Sequence, residues 1–279
     1  MNSPTQAASP WSSERRIAAM RRWHDFWNAA VRGTTKLFLD ALPQRPGLRV
    51  LDLASGSGEP AISLAAAIGP QGQVVATDIS ADILGVAEES ARRAGCTTIR
   101  YQVCVAELLP FPESSFDALT CRFGVMFFTD AQKALRETRR VLRPGGPAIF
   151  LAWELAEQPY FAATIELVRK YAGLTEPREA LDIYRFGQTG KLSAEFREAG
   201  FARVSEEIHT IQLAWPGPPE QVWEYFRETS AQHGPLFDSL PPAVRAQAAA
   251  EAKAALTKYA RGQSVVVPAS VILAQGIVE

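Results

Sequence analysis

The stretch Val50–Pro60, V-L-D-L-A-S-G-S-G-E-P, restricts the fold of this chain more than any other. An apolar run ending on an acid passes through A-S-G-S-G and then enters an alanine-rich segment, Ala61–Ile68, with helical spacing. That order predicts a buried strand, a tight turn and a helix start. Glycines let a ligand approach the backbone where Cβ atoms would block it. The helix start behind them offers unpaired N–H groups and a partial positive charge. A second acid, Asp78, closes the next apolar run, Gln73–Asp78. A carboxylate at the tip of an adjacent parallel strand can accept from both hydroxyls of a ribose, so the two strand ends together read as a nucleotide-type turn.

The obvious competitor is a dinucleotide fingerprint, G-x-G-x-x-G. Its three positions fall on Ala54, Gly56 and Glu59, and two of the three fail.

At 279 residues and 47% hydrophobic content, the chain can bury one large domain or a domain with a sizeable subdomain. A formal charge of −1 with mixed signs gives no global pull toward nucleic acid or an anionic membrane. Apolar runs such as Ala148–Trp153 and Ser264–Val278 are too short or too interrupted to span a bilayer, and residues 1–11 are polar and Ser/Pro-rich rather than a secretion signal. The expected location is cytoplasmic. Cys96, Cys104 and Cys121 lack metal-ligand spacing and read as buried free thiols, so no metal is expected.

Residues 1 to about 12 read as a disordered leader, and an amphipathic segment runs from Ser13 to roughly Asp40. Strands are expected at Gly47–Leu53, Val74–Asp78, Ile99–Val105, Phe116–Cys121 and Gly146–Trp153, with helices between them. Ser80 caps one of these helices and Gly95 closes it. The alternation predicts an α/β fold with a doubly wound parallel sheet. Past Glu154, helices are expected at Tyr160–Ala172, Thr189–Ala199, Glu220–Thr229 and Pro242–Tyr259. Long strands are expected at Ala202–Trp215 and Ser264–Val278, and the helices between them form an inserted cap.

With those elements placed, the chain resembles a class I S-adenosylmethionine-dependent methyltransferase, of the small-molecule group similar to the ubiquinone/menaquinone biosynthesis C-methyltransferases. The resemblance rests on V-L-D-L-A-S-G-S-G at Val50–Gly58, Asp78, A-E-L-L-P-F-P at Ala106–Pro112, S-F-D-A-L-T at Ser115–Thr120, R-F-G-V-M-F-F at Arg122–Phe128 and R-V-L-R-P-G-G at Arg140–Gly146. Each is weak alone; six in the family's order and spacing are specific.

It implies a Rossmann-like, seven-stranded sheet with an antiparallel last hairpin. It divides the chain into a helical lid segment over 1–45, a cofactor-binding core over 46–154, and helical cap insertions with the last two strands over 155–279. The implied cofactor is S-adenosyl-L-methionine, with S-adenosyl-L-homocysteine as product. By position, Asp52 belongs to the cofactor site. Ala54, Ser55, Gly56 and Gly58 line the methionine end, Asp78 holds the ribose and Ile79 packs on the adenine. Ala106 and Glu107 border its other edge, and Arg122 and Phe123 face the methionine portion and the methyl group. Two departures stand out. Ala54 replaces the family's first glycine, which fits if its φ is negative, and Val105 replaces an aspartate that accepts from the adenine amino group.

General-base candidates are His24 and His233, with a solvated surface histidine as the plainer reading of each. Trp23, Trp27, Trp223 and Phe226 are candidates for a substrate pocket, although aromatics at such spacing more often form core. The resulting expectation is methyl transfer to a small, partly apolar acceptor (a quinol, phenol or secondary metabolite, at carbon or oxygen) by in-line displacement. The alternative is a cofactor-binding protein without transfer activity, serving as a regulatory or assembly partner. The partners expected are a small-molecule substrate, with no nucleic acid and no membrane span, in a monomer or homodimer.

Overall fold

A computed structural model describes residues 13–279, and the leader expected over residues 1–12 lies outside the described residues. The chain forms two compact units. A sheet unit takes Val31–Gln158, Glu176–Leu213 and Pro268–Glu279. A helical unit takes the described residues up to Ala30 together with Pro159–Thr175 and Ala214–Val267. The N-terminal amphipathic segment is shared between them, α1 (Glu14–Ala30) in the helical unit and α2 (Arg32–Ala41) in the sheet unit. It breaks at Val31 (φ −96°, ψ 9°), whose carbonyl accepts both the N–H and the hydroxyl of Thr34.

In the sheet unit, β1 (Arg49–Leu53), β2 (Gln73–Asp78), β3 (Ile99–Val103), β4 (Ala118–Arg122) and β5 (Pro147–Trp153) run parallel. Between them lie α3 (Ala61–Ile68), α4 (Ala81–Arg93) and α5 (Ala131–Val141). Ser80 accepts from the Ile83 N–H and Asp130 from the Lys133 N–H, so each caps the helix that follows it. After α8 (Lys191–Glu198) come two long strands, β6 (Ala202–Trp215) and β8 (Ser264–Ile277), and β8 runs antiparallel to β5. The order is β3-β2-β1-β4-β5-β8-β6. An eighth strand, β7 (Ala260–Arg261), pairs only with the start of β8 across a turn at Gly262 (φ 61°). At two residues it is too short to show a periodicity in sequence.

Because β1 has β2 on one side and β4 on the other, the chain reverses its winding direction between β1 and β4. Open α/β sheets hold ligands outside the C-terminal ends of the strands at such a switch point. The core beneath it is apolar: Val50, Leu51, Val74, Ala118, Leu119, Ile149 and Phe150 are fully buried. β3 stops two residues before its expected end because the chain turns over at Val105, whose carbonyl accepts from the Leu108 N–H.

The helical unit contains α6 (Pro159–Ala162), α7 (Ile165–Tyr171), α9 (Pro219–Thr229), α10 (His233–Ser239) and α11 (Pro242–Thr257). The single helix expected over Tyr160–Ala172 is split at Thr164, whose hydroxyl donates to the Tyr160 carbonyl. α10 is absent from the sequence expectation because His233-Gly-Pro reads as loop. Pro235 is tolerated there in the first turn, where its missing N–H has no intrahelical partner to lose. Trp215, fully buried, centres this unit's core, with ring centroids 4.9 Å from Tyr160, 4.9 Å from Tyr225 and 5.4 Å from Phe26. Among the described residues, no helix is long and apolar enough to cross a membrane.

Candidate cofactor site

The site is built on the C-terminal ends of β1, β2 and β4. Thr77 on β2 accepts through its carbonyl from the Ser55 N–H (2.8 Å), which ties the turn back to the neighbouring strand. Asp78 then organises the turn. Its Oδ2 accepts from the Gly56 N–H (3.1 Å) and its Oδ1 from the Ser80 N–H (3.1 Å). Each oxygen keeps further lone-pair capacity for a hydroxyl donor. Gly56 sits at φ 56°, and a Cβ there would meet nothing within 4 Å, so its bare face is open to a ligand. Gly58 (φ 115°) is a glycine for a different reason: a Cβ would crowd Ile62 Cδ1 at 3.1 Å and Ala87 Cα on α4 at 3.3 Å.

Register places Asp52 directly opposite Thr120, whose hydroxyl donates to Asp52 Oδ1 at 2.6 Å. Asp52 is fully buried, and its Oδ2 has no hydrogen-bond partner. Burial pushes its carboxyl up to about 7, against the Thr120 hydrogen bond and the Arg122 charge and with the help of Glu59 and Asp78. Ser55 Oγ and Glu59 Oε2 are likewise buried without partners. Three orphaned acceptors within eight residues of one turn are costly in a chain with nothing to bind there. They fit a cationic ligand that brings its own N–H donors.

Arg122 donates from Nη2 to the Glu59 carbonyl at 2.6 Å and so holds the far side of the turn. Phe123 sits at φ 58°, and its ring stacks on Trp153 with centroids 4.0 Å apart and planes 5° from parallel. Ala54 also departs from expectation: its φ is +51°, not negative. A non-glycine residue there costs about 1–2 kcal/mol. The accommodation is local, since a Cβ on Gly124 would stand 2.6 Å from Ala54 Cβ, so the methyl of one position occupies the space freed by the other.

Of the residues expected to border an adenine, Ile79 and Val105 are 43% and 44% exposed and present apolar faces. Ala106 is buried, and Glu107 is engaged elsewhere, its Oε1 accepting from the Asp130 N–H at 3.2 Å.

The remaining candidates lie in the helical unit. His24 and His233 are buried rather than solvated: His24 packs its ring nitrogens against Asn28 Nδ2, and the His233 backbone N–H donates to Ser230 Oγ at 3.2 Å. Trp23, Trp223 and Phe226 are buried core, while Trp27 is half-buried and stacks on Tyr225 at 5.8 Å. Reading by residue type missed Thr120, Trp153 and the orphaned oxygen of Glu59. A threonine inside an otherwise apolar strand was the available signal for the first of these.

A doubly wound sheet closed by an antiparallel strand, with acids ending β1 and β2 around an A-S-G-S-G turn, defines a class I methyltransferase core. Residues 20–214 match the ubiE/COQ5 methyltransferase family. The chain belongs to this family, whose methyl donor is S-adenosylmethionine. It is 36% identical over 158 residues to the ubiquinone/menaquinone biosynthesis C-methyltransferase UbiE of Edwardsiella ictaluri, a match covering 56% of this chain and 62% of that one. The chain thus spans less than two thirds of that relative's length. The UbiE of Cellvibrio japonicus is 37% identical over 203 residues, covering 67% of this chain and 80% of the relative. In fold, the chain is similar to the YcgJ protein from Bacillus subtilis, with TM-score 0.58, 22% identity, and coverage of 89% and 99% of the two chains.

Proposed function

We propose that this chain transfers a methyl group from S-adenosylmethionine to a small, partly apolar acceptor of the quinol or phenol class, at carbon. The observation that carries the cofactor half is the set of orphaned buried acceptors, Asp52 Oδ2, Ser55 Oγ and Glu59 Oε2, in the turn that Asp78 organises. When bound there, the cofactor supplies an electrophilic methyl on a sulfonium. Asp52, Ser55 and Glu59 hold its ammonium group, Asp78 holds the ribose hydroxyls, and Ile79 packs on the adenine. Phe123, fixed by its stack on Trp153, borders the methyl end. The acceptor half is supported by the relatives, which are named as ubiquinone/menaquinone biosynthesis C-methyltransferases.

Methyl transfer from a sulfonium requires alignment and exclusion of water more than a dedicated base, so burial of His24 and His233 does not weaken the reading. The reading without transfer activity gains nothing from relatives that carry transferase names. The test uses the full chain with methyl-labelled cofactor and a panel of hydroquinones, phenols and amines. Label on a hydroquinone or phenol ring carbon supports the proposal. Bound cofactor with label on none of the phenolic acceptors contradicts it.

A further inference from the structure

We infer that the free protein holds Asp52 as a neutral acid and that the ammonium group of the bound cofactor takes the place of its proton, so that cofactor binding releases one proton to water. The inference rests on reading Val50–Pro60 as the S-adenosylmethionine turn and goes one step further, to the protonation state of Asp52 before the cofactor binds.

The geometry carries it. A fully buried carboxylate ion needs several donors to offset its lost hydration, and Asp52 has one, the Thr120 hydroxyl at 2.6 Å on Oδ1, with nothing on Oδ2. The charged groups around it do not supply the difference. Asp78 on β2 and Glu59 in the turn are acidic and oppose ionisation. Arg122 on β4 favours it, yet its Nη2 is turned to the Glu59 carbonyl. Cys121 on β4 stays a neutral thiol, because burial pushes its pKa up. α3, the helix that follows the turn, carries no ionisable side chain. A neutral Asp52 is therefore the cheaper state until a cation arrives.

An ammonium group brings the missing donors. One of its N–H groups donates to Oδ2 while the Asp52 O–H bond breaks and the proton passes to water. Ser55 Oγ and Glu59 Oε2, both buried and unpartnered, are available for the other two N–H groups. The cofactor keeps all its own protons, and no redox partner is involved.

Isothermal titration of the intact protein at about pH 6, in two buffers of different ionisation enthalpy, counts the protons exchanged. S-adenosylmethionine and S-adenosylhomocysteine, which share the ammonium group, are each expected to release close to one proton. 5′-Methylthioadenosine, which lacks it, is expected to bind with none released. Below pH 6 the dissociation constant of S-adenosylmethionine should rise about tenfold per pH unit. Asp52→Asn should bind it more weakly, with no proton released and a flat pH profile.

Binding of S-adenosylmethionine without proton release at pH 6 overturns the inference. So does release on binding 5′-methylthioadenosine, or persistent release in a folded Asp52→Asn protein. Absence of S-adenosylmethionine binding altogether overturns the reading of the turn itself, which separates the two failures.

Discussion

Two buried aspartates stand at opposite ends of β1 and β4, and the fold treats them in opposite ways. Asp117, just before β4, accepts from Arg45 Nη2 and Arg143 Nη1 at 2.6 Å each and from the Arg49 N–H at 2.8 Å. Desolvation pushes its carboxyl up, but the Arg49 N–H and the Arg143 and Arg45 guanidinium groups outweigh it, and its pKa is lowered. Asp52, at the other end, has one hydroxyl donor and an empty oxygen, and burial carries it up to about 7. Both residues have little exposed surface, 6% and 0%, but Asp52 lies deeper in the core while Asp117 sits under half-exposed guanidinium groups, so desolvation weighs more on Asp52. The supply of donors differs as well: Asp117 accepts from two guanidinium groups and a backbone N–H, whereas Asp52 Oδ2 accepts from nothing in the chain.

The largest expected effect is at the ligand end. Asp78→Ala removes the proposed acceptor for the ribose and the tie to the Gly56 and Ser80 N–H groups. Hydrogen bonds to a charged group are worth about 1.5–3 kcal/mol each, so the dissociation constant of S-adenosylmethionine should rise roughly 100-fold by titration calorimetry. An unchanged affinity would break the assignment of the turn.

Asp117→Ala should do the reverse, lowering the denaturant-unfolding free energy by about 2 kcal/mol and leaving cofactor affinity within twofold. Arg45 and Arg143 are 54% and 49% exposed and can turn to water, which keeps the loss moderate. Its pH dependence follows from the lowered folded pKa. The stabilisation is complete above the unfolded value of about 3.9 and is lost as pH falls through the lower folded value.

For Asp52 the sign is inverted. Its folded pKa of about 7 lies above the unfolded value, so between roughly pH 4 and 7 the native state binds more protons and loses stability as pH rises. Asp52→Asn should therefore stabilise the ligand-free protein at pH 8, by roughly 1–3 kcal/mol once the unmet needs of the amide are subtracted, while weakening cofactor binding. A destabilised variant at pH 8 would mean that Asp52 is satisfied, and the contrast with Asp117 would fall.

A comparable effect sharpens the steric side of the ligand end. Gly124→Ala places a methyl 2.6 Å from Ala54 Cβ and 3.0 Å from Cys121 Sγ and should cost about 1–3 kcal/mol in thermal unfolding, with Ala54→Gly in the same chain recovering the part due to the first contact. Losses that simply add would show that the two positions do not share one space.

The turn, Asp78 and the cap Ser80 were legible because each is a local signal, a residue type demanded by the backbone beside it. β6 was legible too, since Ala202–Trp215 is long and bounded by turns. The state of Asp52 was not, because it depends on which residue of a strand 68 positions away lies opposite it. Ala54 misled because alanine so seldom adopts a left-handed φ that only the missing Cβ of Gly124 explains its place. Burial of His24 and His233 likewise comes from tertiary packing that a residue count cannot show.

The most direct test of the central claim is an amide chemical-shift titration of the full chain with S-adenosylmethionine. The account predicts large shifts at Ser55, Gly56, Ser57, Gly58 and Ser80, where the turn and Asp78 receive the ligand, and none at Arg49 or Asp117. Shifts centred on the Arg49 and Asp117 end, with the turn silent, would contradict it.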